Sequence, residues 1–136
     1  MVDRWNARGG EAEKITINLG LVDLGQIDLL VRESFYANRT DFIRTAIRNQ
    51  LERHGEALRQ SVVRHGLDLG LRLVDRTELE QVVARGEMLE IRVVGLARVA
   101  ADVTPELARA AIAVISVLGS LQASPEVRAA LADRLR

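Results

Sequence analysis

Three polar side chains of different chemistry, Lys14, Thr16 and Asn18, alternate with Ile15, Ile17 and Leu19 in the stretch Lys14-Ile15-Thr16-Ile17-Asn18-Leu19. Alternation with a period of two is the signature of a β-strand, so an amine, a hydroxyl and a carboxamide share one face and three apolar groups the other. These are hydrogen-bonding groups, and on a strand in a major groove they can bond to base edges. The competing reading is the wet face of a strand that only dimerises. Catalysis is disfavoured elsewhere in the chain. There is no cysteine, the two histidines, His54 and His65, stand apart, and Ser34, Ser61, Ser116, Ser120 and Ser124 lack a glycine-elbow context. The glycines form no phosphate loop, and neither a metal site nor a cofactor is expected.

A lone strand cannot position these groups, because both of its edges are unsatisfied. Helical patterns follow it rather than a second strand. Asp23 is expected to N-cap a first helix with apolar residues Leu24, Ile27, Leu30, Val31 and Phe35 on one face. Asn38 is expected to N-cap a second, with Asp41 in its first turn, a stripe of Phe42, Ile43, Ala46, Ile47, Gln50 and Leu51, and Gly55 as C-cap. The economical solution is exchange of strands between two chains: an antiparallel two-stranded ribbon over four helices. Ile15, Ile17 and Leu19, with Ile43 and Ile47, would form the dimer core, and Lys14, Thr16 and Asn18 would point outward about a two-fold axis.

Residues 13–54, with "KITINL" as ribbon and "YANRTDFIRTAIRNQL" as turn and second helix, resemble the ribbon-helix-helix family of dimeric DNA-binding proteins, which includes the CopG-, Arc- and MetJ-like members. The resemblance implies that outward ribbon side chains read bases, a role that falls by position to Lys14, Thr16 and Asn18. It also implies that the start of the second helix holds a DNA phosphate, a role that falls to Asn38, Arg39 and Thr40. Free amides and the helix dipole at that point form an anion site. Arg44 and Arg48, one turn apart, are candidate flanking phosphate contacts, with a solvated helix face as the other reading. The chain departs from many members in having Ser34-Phe35-Tyr36-Ala37-Asn38, without glycine, between the helices.

Beyond Gly66 the composition shifts toward Val, Leu, Ala and Gly. Ile91–Ala111 and Ile115–Leu131 each run from an alternating strand with a central glycine, Gly95 or Gly119, into a Thr/Ser-Pro-Glu helix start. Thr104 and Ser124 are natural N-caps, with Pro105 and Pro125 at the first helical position. Leu67–Gly86 is a weaker copy with Gly70 and Thr77-Glu78-Leu79. A spacing of roughly 20–28 residues suits solenoid-type strand-helix repeats. The expected fold is therefore α+β: residues 1–12 a disordered tail carrying Trp5 between Arg4 and Arg8, 13–55 the ribbon-helix-helix domain, 56–66 a linker or helical extension, and 67–136 three β-α units with parallel strands for oligomerisation or interaction.

Nineteen basic residues balance nineteen acidic ones. This argues against a protein that coats nucleic acid everywhere by charge alone, so DNA contact would be confined to a small patch. No apolar run reaches the ~18–20 residues of a membrane helix, and nothing at the start reads as a signal peptide. A cytoplasmic protein is expected, associated with the bacterial nucleoid when bound to DNA, with no membrane partner. The functional expectation is a sequence-specific transcriptional regulator, a repressor, acting as a homodimer on double-stranded DNA. A higher oligomer on DNA, or a protein partner, would use residues 67–136. Two alternatives compete: an antitoxin whose C-terminal segment neutralises a toxin, and a polymerising scaffold with an N-terminal dimeriser. The apolar content and capped helices of residues 67–136 disfavour the antitoxin, whose partner-binding segment would be polar and unfolded when free.

Overall fold

A computed structural model describes residues 12–136; the expected tail, with Arg4, Trp5 and Arg8, lies outside them apart from Ala12. The chain divides into two compact units, one formed by Lys14–Ser61 and the other containing Val62–Arg136.

The first unit contains α1 (Leu21–Arg32) and α2 (Arg39–Arg53), and α3 (Gly55–Arg64) follows. Residues 12–20 adopt no regular secondary structure, and Lys14–Leu19 form no ladder with any described residue. Helix α1 begins earlier than expected. The Leu24 amide already reaches the Gly20 carbonyl at 3.0 Å, so Gly20 is the N-cap and Asp23 sits in the first turn, where a carboxylate favours the positive end of the helix.

At the other end the Ser34 amide donates to Val31 O (3.0 Å) and the Phe35 amide to Leu30 O (2.9 Å). This pair of bonds is the Schellman motif, which needs a left-handed residue after the C-cap. Ser34 supplies it with φ 68°, the residue type notwithstanding. The reversal carries Phe35 out of the helix and into solvent, off the stripe on which it was expected. Helix α2 ends at His54, whose amide is shared between Gln50 O and Leu51 O. Gly55, expected as the C-cap, instead opens α3, because helical bonding resumes at once with the Leu58 amide on His54 O at 2.9 Å.

The second unit runs β1 (Asp68–Val74), α4 (Arg76–Ala84), β2 (Leu89–Val99), α5 (Pro105–Ala111), β3 (Ile112–Gln122), α6 (Pro125–Ala130) and a short 3-10 turn, Ala132–Arg134. The strands form one parallel sheet in the order β1-β2-β3. Sequential parallel neighbours require crossovers of one hand, which places the helices on one face of the sheet. That face is the core: Val74, Val93, Ala97, Val99 and Ile115 pack with Leu79, Val82, Ala108, Ala111, Val127 and Leu131. Three side-chain caps start the helices. Asp75 accepts from the Glu78 amide (2.8 Å), Thr104 from Leu107 (3.1 Å) and Ser124 from Val127 (3.1 Å). In the first copy the cap is thus Asp75, two residues ahead of the Thr77 that the sequence comparison had placed at the helix start.

The register aligns Gly70, Gly95 and Gly119 across the three strands. All three have φ between 115° and 135°, closed to most L side chains. A Cβ on Gly95 would lie 2.2 Å from Gly70 O, and one on Gly119 2.0 Å from Gly95 O. The glycines are therefore an internal ladder that lets adjacent backbones approach.

Candidate nucleic-acid interface

The turn between α1 and α2 and the start of α2 are built by local hydrogen bonds. Asn38 Oδ1 accepts from the Asp41 amide at 2.8 Å, while the Asp41 carboxylate accepts from the Ala37 amide at 2.9 Å, a reciprocal cap. The Tyr36 and Phe42 rings meet edge to face with centroids 5.0 Å apart, which pins the entry of the chain into α2. With Asp41 N taken by the cap, the amides of Arg39 and Thr40 make no hydrogen bond among the described residues. Two unsatisfied amides at a helix start can take an anion.

The Arg39 side chain is engaged. Its Nε and terminal nitrogen donate to the two carboxylate oxygens of Asp28 on α1, at 2.8 and 2.9 Å. The hydrogen bonds from Arg39 hold the Asp28 carboxyl below its ordinary range, and the same bonds raise the Arg39 guanidinium. Asp28 is the residue that sequence reasoning missed. Nothing in an eleven-residue separation across a turn signals a pair. Arg44 and Arg48, by contrast, are exposed on α2 with no ion pair among the described residues.

Lys14, Thr16 and Asn18 are all exposed, and so are Ile15 at 72% and Ile17 at 58%. Ile43 is half-buried and Ile47 exposed, and α2 has no buried residue at all. In α1 only Ile27 is buried. The site residues of the first unit therefore surround a collection of apolar groups that one chain leaves in water. Among the described residues no cluster of His, Cys, Asp or Glu could hold a metal ion, and no helix is long and apolar enough to cross a membrane.

These features define a class: a two-helix module that presents a capped helix start and an exposed segment of alternating polar and apolar residues. A family model described as a ribbon-helix-helix transcriptional regulator family matches residues 10–128, and the chain belongs to this family. The match extends through the β-α units, well past the segment that carries the resemblance in the sequence. No curated protein and no solved structure matches the chain. Membership makes DNA binding in transcriptional regulation the role of the family to which the protein belongs.

Proposed function

We propose that the protein is a sequence-specific DNA-binding repressor that acts as a homodimer. Lys14–Leu19 of two chains pair as an antiparallel ribbon that enters the major groove, and Lys14, Thr16 and Asn18 read base edges. The amides of Arg39 and Thr40, oriented by the Asn38 cap, hold a phosphate, with the side chains of Arg39, Arg44 and Arg48 as further backbone contacts. One observation carries the reading: Ile15 and Ile17, which alternate with the polar trio in the sequence, stand 72% and 58% exposed. A second copy of the same segment removes those groups from water and supplies the missing strand edge in one step. Ile43 and Ile47 complete that shared core.

The β-α units extend the dimer by oligomerisation or by binding a partner. Their continuous buried core favours this over the antitoxin reading, in which the corresponding segment gains order only on its target.

The test is selection of binding sites from random duplexes by the intact protein, followed by sedimentation of the selected complex. A palindromic or repeated site bound by two chains, or by a multiple of two, is the expected result. Enrichment of no site, or a one-chain complex, would sink the proposal.

A further inference from the structure

The carbonyls along the outer edge of β3 show how that edge takes a strand. Leu135 lies parallel to it, bridged to Ile115, and the Arg136 amide donates to Ile115 O at 2.9 Å. Further along, Leu121 O accepts from the Arg128 guanidinium. Both carbonyls turn away from β2, and the alternation of backbone groups along a parallel strand turns Val117 O and Gly119 O the same way. No strand lies against those two among the described residues.

A strand filling that place needs a particular residue. At each junction the sheet already makes, a glycine stands against the carbonyl of the glycine before it. A Cβ on Gly95 would lie 2.2 Å from Gly70 O, and one on Gly119 2.0 Å from Gly95 O. The residue set against Gly119 O in the same register therefore has to be glycine, in the same positive-φ conformation. Gly70 answers that description. Its φ is 115°, and nothing lies within 4 Å of the place its Cβ would take, because β1 has no strand on its outer side among the described residues. The free glycine of the ladder and its free carbonyl thus stand on opposite edges of one sheet, and they can meet between two copies of the chain.

We propose that β1 of one copy adds in parallel to β3 of the next, Gly70 against Gly119, so that the glycine ladder runs on from chain to chain. The register of the two existing junctions, continued once more, sets Leu69 beside Leu118 and Leu71 beside Ser120. Val74 O accepts from Ala100, the residue after its partner Val99, at 2.9 Å. By the same rule the Leu69 and Leu71 amides reach Val117 O and Gly119 O. Leu69 and Leu118, 72% and 63% exposed in the single chain, cover each other.

No acid or base has to change its ionic partner. Arg72 keeps Glu78, at 3.0 and 2.6 Å, and Asp68 and Arg72 come to lie beside Val117 and Leu121 as they already lie beside Val93 and Ala97. The one contact displaced is that of Arg128, which yields Leu121 O to the Leu73 amide. Such a joint is head-to-tail and open-ended, so it links successive dimers rather than closing one. It uses none of the residues proposed to read DNA and stands or falls apart from that reading.

The chain has no cysteine, so introduced thiols report without background. Paired strands lie about 4.8 Å apart, within disulfide range, whereas residues 71 and 120 of one chain are two strand spacings apart, about 9.6 Å, and out of range. Mild oxidation of the full-length Leu71→Cys, Ser120→Cys double variant should give covalent dimers, trimers and higher multimers under denaturing conditions. Each single variant should stay monomeric, and a mixture of the two should stop at dimers. Gly70→Ala in the double variant sets a methyl about 2 Å from Gly119 O of the next copy and should abolish the multimers. Leu69→Pro removes the amide that meets Val117 O without taking a hydrogen bond from its own sheet, and should lower the yield roughly two- to tenfold. Multimers no more abundant than in the single variants would overturn the joint, and so would a yield that both substitutions leave unchanged. Dimers from Leu71→Cys alone would show two β1 edges meeting each other and overturn it as well. Selection of a DNA site by the unsubstituted protein reports on the repressor reading separately, whichever result the cross-linking gives.

Discussion

The guanidinium of Arg39, the first residue of α2, grips the carboxylate of Asp28 on α1 through two hydrogen bonds of 2.8 and 2.9 Å. Both partners are about half exposed, so the pair lies in water and adds little to stability. Its consequence lies in DNA binding. On the proposed function, a phosphate at the start of α2 would compete with Asp28 for the same guanidinium. Arg39→Ala should weaken binding equally on operator and random duplex and reduce the salt slope by about 1 per lost contact. Asp28→Asn, which releases Arg39, should act in the opposite sense on both sequences. Unchanged salt slopes in titrations of the two variants would show that Arg39 serves only to clamp the helices. Because the pair lowers the Asp28 carboxyl from its ordinary value of 3.8, its small contribution to stability is complete above that pH and is lost as the pH falls through the lowered value.

Thr16 separates base reading from mere dimerisation. Its side chain is exposed and lies between Ile15 and Ile17, so Thr16→Ala should leave the thermal midpoint and oligomeric state unchanged. The ratio of operator to random-duplex affinity should fall roughly five- to hundredfold, the value of about 1–3 kcal/mol for a base contact. An unaltered ratio would mean that the polar face of the strand is simply hydrated.

Ser34 occupies a left-handed position, φ 68°, that suits glycine better. Ser34→Gly should raise stability by about 1 kcal/mol, read as a higher denaturant midpoint with unchanged slope. A β-branched residue such as Val at this position should lower it. If glycine destabilises instead, the two amide bonds that end α1 do not depend on the conformation of residue 34.

The glycine ladder yields a graded series. Gly95→Ala places a methyl against Gly70 O and imposes a disfavoured φ, so it should cost at least about 3 kcal/mol. Gly119→Ala should cost a similar amount. Gly70→Ala meets open space and bears only the conformational cost, about 1–3 kcal/mol. Urea unfolding of the three variants checks the order; equal losses at all three would show that close approach between strands is not the cause.

Much of this organisation was legible in the residues because it is local. The Asn38 cap with Asp41 in the first turn, the proline-led starts of α5 and α6, and the equivalence of Gly70, Gly95 and Gly119 all follow from side chains within a few positions of one another, or from repetition. The ends of α1 and α2 were less legible. Helix starts and stops depend on which amide first finds a carbonyl, so Gly20 displaced Asp23, Ser34 did what glycine usually does, and Gly55 continued a helix that glycine often ends.

By itself the sequence determined the helices of the first unit and the three-fold repetition of strand and helix, because periodicity and capping are written in neighbouring residues; the strand expected at Lys14–Leu19 has no regular structure in the single chain. Only the tertiary structure decided that Arg39 is held by Asp28, that the strands align glycine on glycine, and that Leu135 bridges β3 at Ile115 while the outer edge of β1 has no strand partner among the described residues. These are relations between residues far apart in the chain, and packing brings them together without leaving a local signal of the pairing.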